Sequence, residues 1–258
     1  MRAALFQTDT IWLSPDENRR RIEDMIDRSP QADLIVLPEM FTTGFCMSPE
    51  KVAEKGGLET LAWMQRLAAS KHAALTGSIA VAENGRYYNR LYFVKPDGDA
   101  VHYDKRHLFS YAGEDKIYTA GDKRVVVEYG GFRILLQVCY DLRFPVFSRN
   151  AGDYDAIIYA ANWPVSRIGA WNTLVRSRAV ENLCYVAAVN RVGDDPVCKY
   201  GGSSAVIDFK GNVLAEAGGD AAEVIVAEWN KDALLRFRKK FSALQDADHF
   251  IPAGWNDK

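Results

Sequence analysis

Three side chains capable of joint chemistry stand at matching places along the chain: Glu39 after the apolar run LIVLP, Lys105 after VHYD and Cys139 after ILLQV. Each follows or closes a segment with the length and composition of a buried strand. The carboxyl ends of strands are where loops gather in an α/β sheet, so residues far apart in sequence can converge there. A cysteine thiolate attacks an electrophilic carbon, a carboxylate takes and returns the proton, and an ammonium steadies the oxyanion that forms. The stretch YDLRFP after Cys139 predicts a turn opening a short helix, whose backbone N–H groups, together with Lys105, lower the thiol pKa. Lys105 and the Tyr140 N–H are the expected oxyanion donors, each worth about 3 to 4 kcal/mol.

Each residue also has an ordinary reading. A strand cysteine is usually a small core hydrophobe, Pro-Glu after a strand is often only a turn, and Asp104-Lys105-Arg106 is often a solvated charge run. Only the combination favours chemistry.

The elements that must position these residues follow from hydrophobic spacing. Residues 3–7 read as a buried strand, and Ser14-Pro15-Asp16-Glu17 as a capping box opening a helix to about Arg28. A strand at 33–37 and a helix at 58–72 complete a β-α-β-α opening. The segments 73–79, 87–95 and 100–104 read as strands, the last two joined by the Pro96-Asp97-Gly98 turn, and Gly130-Gly131 marks a second hairpin. Further strands at 155–161, 184–190, 204–209, 213–217 and 223–229, with a helix at 166–182, exceed the usual width of one open sheet. The expected fold is therefore α/β (α+β), a four-layer α-β-β-α sandwich of two mixed sheets. It is read as a single domain, 1–258, with 231–258 a basic helix and tail.

Composition narrows the function. The 258 residues, 48% hydrophobic and 12% aromatic, suffice for a large core, and 32 basic against 34 acidic residues leave a formal net charge of -2 with no like-charge block. That balance gives no footprint for nucleic acid or a membrane surface and favours a small partner. No signal peptide or membrane-length apolar run is present, so a cytoplasmic location is expected. The four cysteines show no C-x-x-C spacing, and Cys46, Cys184 and Cys198 are assigned to packing or loops. The four histidines (72, 102, 107 and 249) offer no His-x-x-x-His pair for zinc, and none lies beside Cys139 in sequence. A Cys-His pair through His107 stays open but leaves the glutamate and lysine unexplained.

Three blocks carry a family likeness. LPEMF around Glu39, YDKRHLF around Lys105 and VCYDLRFP around Cys139 resemble, in the same order, the signature blocks of the nitrilase, or carbon-nitrogen hydrolase, superfamily. The similarity runs on through Tyr88-Asn89-Arg90, Ala161-Asn162-Trp163-Pro164 and RSRAVENLCYVAAVNRVG at 176–193. The resemblance implies an α-β-β-α sandwich, no metal or organic cofactor, and a Glu-Lys-Cys triad on Glu39, Lys105 and Cys139. It places a second glutamate, which orients the lysine and substrate, at Glu114; a solvated loop carboxylate is the alternative. Within the superfamily the chain is most similar to bacterial omega-amidases, through PEMFTTGF, YDKRHLFSYAGED, VCYDLRFPVFSRN, ANWP and the late QDAD. That likeness implies hydrolysis of the terminal amide of a small 2-oxo acid, such as 2-oxoglutaramate or 2-oxosuccinamate, through a cysteine thioester. Another small amide, a nitrile or an N-carbamoyl amino acid is the alternative substrate. A non-catalytic sandwich protein is the reading from another class.

A 2-oxo acid needs a cation for its carboxylate. Arg143 can grip one with two parallel hydrogen bonds, or it braces the Cys139 loop, the favoured reading because family members with uncharged substrates share the motif. Phe41, Tyr111 and Trp163 are candidate apolar walls, with core packing as the alternative. The superfamily commonly pairs through helices beside the active site, so a homodimer is expected through 166–182 and 231–255, where Phe241, Phe250 and Trp255 supply apolar surface.

Overall fold

In the computed structural model, residues 1–248 are described. The first part runs β1 (Arg2–Gln7), α1 (Pro15–Arg28), β2 (Leu34–Val36), β3 (Glu54–Lys55), α2 (Leu58–Lys71), β4 (Ala74–Glu83), β5 (Arg86–Val94) and β6 (Ala100–Asp104). β2 lies parallel to both β1 and β4. β5 is antiparallel to β4 and β6 antiparallel to β5, so β6 again runs with β2 and ends on the same side of the sheet. β4 reaches beyond the expected end at Ile79 because Asn84 and Gly85, both at positive φ, close a two-residue hairpin on the Glu83–Arg86 pair.

The second part runs β7 (Val126–Tyr129), β8 (Phe132–Val138), α3 (Pro145–Ser148), β9 (Ala156–Ala161), α4 (Ile168–Asn182) and β10 (Tyr185–Asn190). The short strands β11 (Val192–Asp194), β12 (Lys199–Gly201), β13 (Ala205–Ile207) and β14 (Val213–Glu216) follow, then β15 (Glu223–Glu228) and α5 (Lys231–Lys240). The first sheet has the order β15-β1-β2-β4-β5-β6 with β3 against β4, and the second β14-β13-β10-β9-β8-β7, while β11 and β12 form a separate hairpin. Both sheets are mixed, as their patterning predicts.

The alternation of side chains along each strand builds the layers. Ala4 and Phe6 point outward to meet Ile22 and Ile26 of α1 and Trp63 and Met64 of α2, whereas Leu5 points inward. Leu5, Val36 and Phe93 of the first sheet meet Leu136, Ile158 and Val189 of the second in the middle of the sandwich. Trp171, Val175 and Ala179 of α4 cover the outer face of the second sheet at Ile157, Tyr159 and Val186. Each fully buried aliphatic or aromatic side chain in these layers contributes about 1.5 to 3 kcal/mol, so burial is what holds the two sheets at fixed separation. Among the described residues no helix is long and apolar enough to cross a membrane.

One local expectation changes. Ser14 makes no side-chain cap bond to α1; its hydroxyl turns back to the Trp12 carbonyl. Asn18 ties down the preceding loop instead, exchanging bonds with Ile11 at 2.8 and 2.7 Å and donating to the Thr42 carbonyl at 2.8 Å. Phe250, Trp255 and the end of the tail lie outside the described residues. α5 itself is latched by Asp155, which is fully buried and accepts from Arg133, Arg238 and Lys231. Burial pushes this carboxyl up, but those bonds outweigh it and hold it at about 2.

Candidate active site

Glu39 stands just beyond β2, where Pro38 ends the ladder, and its side chain is 1% exposed. Its Oε1 accepts from Lys105 Nζ at 2.8 Å and Asn89 Nδ2 at 2.7 Å, and its Oε2 from the Asn162 N–H at 2.9 Å. Asn162 follows β9 of the opposite sheet and also donates its Nδ2 to the Glu39 carbonyl at 2.8 Å. The carboxylate is thus held from both halves of the sandwich.

Lys105 directly follows β6 and is equally buried. Its Nζ donates to Glu114 Oε2 at 2.9 Å as well as to Glu39, and lies 5.4 Å from the centre of the Phe45 ring. Glu114, in the 3-10 turn Glu114–Lys116, is fully buried rather than solvated, and its Oε2 also accepts from the Phe109 N–H at 2.6 Å. Burial alone pushes the Lys105 ammonium pKa down, but the charges of Glu114 and then Glu39 prevail and raise it. The same burial raises Glu114, against the pull of Lys105. One ammonium is therefore kept charged between two carboxylates.

Cys139 leaves β8 and begins the 3-10 turn Cys139–Arg143. Its φ of +44° is in the left-handed region that side chains rarely adopt, so the turn needs a restraint. Asp141 supplies it: Oδ2 accepts from the Val138 N–H at 2.9 Å and Tyr103 hydroxyl at 2.8 Å, while Oδ1 accepts from the His107 N–H at 3.0 Å. His107 Nδ1 lies 2.7 Å from that Oδ1 and its ring stacks on Phe144 at 3.9 Å, so this histidine braces the turn. The Cys139 Sγ donates weakly to the Asn162 carbonyl at 3.9 Å.

The thiol departs from expectation. Burial, and then the negative charge of Glu39, push the Cys139 pKa well above its ordinary value, and Lys105 only partly offsets them. Lys105 is already neutralised by its two carboxylates, which is why its charge does not create a resting thiolate. The arrangement instead sets a thiol beside a buried carboxylate that can receive its proton as the sulfur attacks.

All three groups face a cavity of about 370 Å³. Tyr140, Arg143 and Trp163 line it, with the Arg143 guanidinium 4.9 Å from the Trp163 ring centre. Phe41 does not. Met40, at φ +44°, turns the chain so that the Phe41 N–H reaches the Ser78 carbonyl and its ring enters the helix-side core beside Trp63 at 5.9 Å. Phe45 and Phe109 provide aromatic wall in its stead, and Tyr111 sits at the rim, 85% exposed. Cys46 and Cys184 are buried as expected, whereas the loop thiol Cys198 faces the cavity.

Sequence reading did not assign roles to Asn89, Asn162, Asp141 or Arg167. Asn89 and Asn162 stood within family-like blocks, but only the pairing of strands shows that both donate to Glu39.

The family model for carbon-nitrogen hydrolase matches residues 2–239. The chain belongs to the carbon-nitrogen hydrolase family. Among curated relatives, the omega-amidase YafV of Yersinia enterocolitica is 43% identical over 252 residues, covering 97% of this chain and 98% of that one. The 2-oxoglutaramate amidase of Bacillus subtilis is 33% identical over 247 residues, covering 93% and 95%. A carbon-nitrogen hydrolase superfamily protein of Xanthomonas campestris, solved with an arsenic adduct in its active site, superposes with a TM-score of 0.93 at 44% identity, covering 97% of this chain and 98% of that one.

Proposed function

We propose that this carbon-nitrogen hydrolase removes ammonia from the terminal amide of a small 2-oxo acid, 2-oxoglutaramate or 2-oxosuccinamate, with Cys139 as nucleophile, Glu39 as general base and acid, and Lys105 as oxyanion stabiliser. The observation that carries it is Lys105 clamped between Glu39 and Glu114 beside the Cys139 turn. The substrate class rests on the relatives described as omega-amidase and 2-oxoglutaramate amidase and on Arg143 in the cavity wall as a partner for the carboxylate.

In the first half-reaction the Cys139 sulfur adds to the amide carbon while its proton passes to Glu39. Negative charge gathers on the former carbonyl oxygen, and Lys105 with the Tyr140 N–H opposes it, at about 3 to 4 kcal/mol for each well-placed donor. The intermediate collapses, the C–N bond breaks, and Glu39 returns the proton to the leaving nitrogen, giving ammonia and a thioester. In the second half, water gives a proton to Glu39 and adds to the thioester carbon. The C–S bond breaks, and Glu39 reprotonates the sulfur. Glu114 keeps Lys105 charged and aimed throughout. Trp163 and Tyr140 hold the short substrate chain.

The same reading takes residues 1–258 as one catalytic domain acting in the cytosol as a homodimer. Four free thiols fit a reducing compartment. Half-exposed Val180 on α4, with Leu235 and Phe241 on and just beyond α5, offers apolar surface to a second copy, which light scattering tests. The substrate assignment is tested by ammonia release from 2-oxoglutaramate, 2-oxosuccinamate, glutamine, asparagine, a nitrile and an N-carbamoyl amino acid. The two 2-oxo acid amides are expected to give the highest kcat/KM; a nitrile or carbamoyl compound in first place would replace the assignment.

A further inference from the structure

Arg167 closes the 3-10 turn Val165–Arg167 that leads into α4, and its side chain lines the same cavity. Its guanidinium lies 5.1 Å from the Phe109 ring centre and 6.0 Å from that of Tyr111. Trp163 ties it to Arg143: the indole carries the Arg143 guanidinium on its face at 4.9 Å, and its Nε1 donates to the Arg167 carbonyl at 2.8 Å. Both cations are therefore registered to one buried ring.

Neither guanidinium has an acidic or carbonyl partner among the described residues: Arg143 lies over the Trp163 ring and Arg167 over those of Phe109 and Tyr111, where its charge also reaches the Cys198 thiol. Every other arginine that is buried or half-buried donates to a carboxylate or a backbone carbonyl, as Arg90 does to Asp104, Arg178 to the Leu142 carbonyl and Arg191 to the Thr10 carbonyl. Asp195, the remaining carboxylate on the wall, is occupied, its Oδ1 by the Val197 and Cys198 N–H groups and its Oδ2 by the Tyr200 hydroxyl. Withdrawing two guanidiniums from water without a counter-charge is unfavourable, and an anionic ligand relieves it.

We propose that Arg167 is a specificity-determining residue which, with Arg143, grips the 2-oxo carboxylate end of the substrate and turns away the corresponding amino acid amide. The inference rests on the function proposed above and adds a basis for selectivity. A 2-oxo carboxylate offers three acceptor oxygens and no positive charge, which suits two forked donors. Glutamine carries an ammonium where the 2-oxo group stands, and that ammonium meets two cations in a site partly shielded from water.

Two measurements on Arg167→Gln and Arg167→Lys test this. In steady-state assays Arg167→Gln is expected to raise KM for 2-oxoglutaramate about tenfold or more, with kcat little changed, and Arg167→Lys to recover part of the loss. Hydrolysis of pentanamide, which has no carboxylate, is expected to stay within about twofold of wild type, and the preference for 2-oxoglutaramate over glutamine to shrink about tenfold. Equal losses on the charged and uncharged amides, or an unchanged KM for 2-oxoglutaramate, overturn the proposal. Calorimetric titration of 2-oxoglutarate into Cys139→Ala protein, with and without Arg167→Gln, separates the two claims. If wild type does not hydrolyse 2-oxoglutaramate, the proposed function fails. The titration still decides the arginine: weakening of about tenfold or more supports it, and an unchanged Kd overturns it.

Discussion

Asn162 holds Glu39 across the sandwich, its N–H on Oε2 at 2.9 Å and its side-chain amide on the Glu39 carbonyl at 2.8 Å. Because Asn162 follows β9 and Glu39 follows β2, this pair fixes how the two sheets present the Glu39 carboxylate to the Cys139 thiol. Asn162→Ala keeps the N–H but frees the Glu39 carbonyl. Kinetics should show kcat down about tenfold with KM little altered, and denaturation a loss of about 1 to 3 kcal/mol for the unsatisfied carbonyl. An unchanged kcat would show that the second contact does not position Glu39.

Glu114 is expected to act through Lys105. Glu114→Gln keeps the size of the side chain and removes its charge, leaving the ammonium drawn toward Glu39 alone. A fall in kcat of about 10² to 10³ with a small change in KM is the expected split, because the loss is felt where negative charge develops. A pure KM effect would instead make Glu114 a ground-state binding group.

Removing the lysine tests the charge balance of the site. Lys105→Met leaves Glu39 and Glu114 buried without their cation, at a cost of about 3 to 5 kcal/mol near neutral pH. Burial already raises Glu114, and without Lys105 its folded pKa rises further above the unfolded one. A carboxyl shifted upward destabilises the fold as pH rises, so the loss should shrink as pH falls and the group takes a proton. Urea denaturation at mildly acid and mildly alkaline pH reads this directly; a loss independent of pH would contradict it.

The raised thiol leads to an opposite movement of reactivity and turnover. Alkylation of Cys139 by iodoacetamide should be slow near neutral pH and accelerate as pH climbs toward and above the ordinary thiol range. Glu39→Gln removes a charge that holds the thiol up, so alkylation at fixed pH should quicken while kcat/KM drops by about 10² to 10⁴. Slower alkylation in Glu39→Gln would contradict this, showing that Glu39 aids loss of the thiol proton more than its charge opposes it.

Asp155→Asn should loosen the α5 latch, lowering stability by about 3 kcal/mol through loss of the buried charge shared by Arg133, Arg238 and Lys231. The native carboxyl lies at about 2, below its ordinary value. A depressed carboxyl stabilises above its unfolded pKa, so the wild-type advantage over Asp155→Asn should be full above about pH 4 and fade toward pH 2. Chemical denaturation across that range is the check.

Much of this fold was legible because strand-length apolar runs and helical spacing were clear, as in β1, β10 and α2. The strand-end positions of Glu39, Lys105 and Cys139 were legible too, since each follows or closes a segment of strand length and composition. What could not be read was where side chains point after those runs: Met40 at positive φ sends Phe41 into the core, and Asn84-Gly85 extends β4 past Ile79. Nor does sequence show charge compensation. Lys105 looked like an activator of the thiol until Glu114 was seen to share it, and nothing in the sequence placed Arg167 on the cavity wall.

Rapid-quench intact-mass analysis during turnover of 2-oxoglutaramate tests the central claim most directly. The predicted result is one adduct on Cys139, with the mass of the substrate less ammonia, forming as ammonia is released and discharging to free enzyme. Cys139→Ala should give neither adduct nor ammonia. Wild-type ammonia release from Cys139→Ala, or an adduct on a different side chain, would contradict the account.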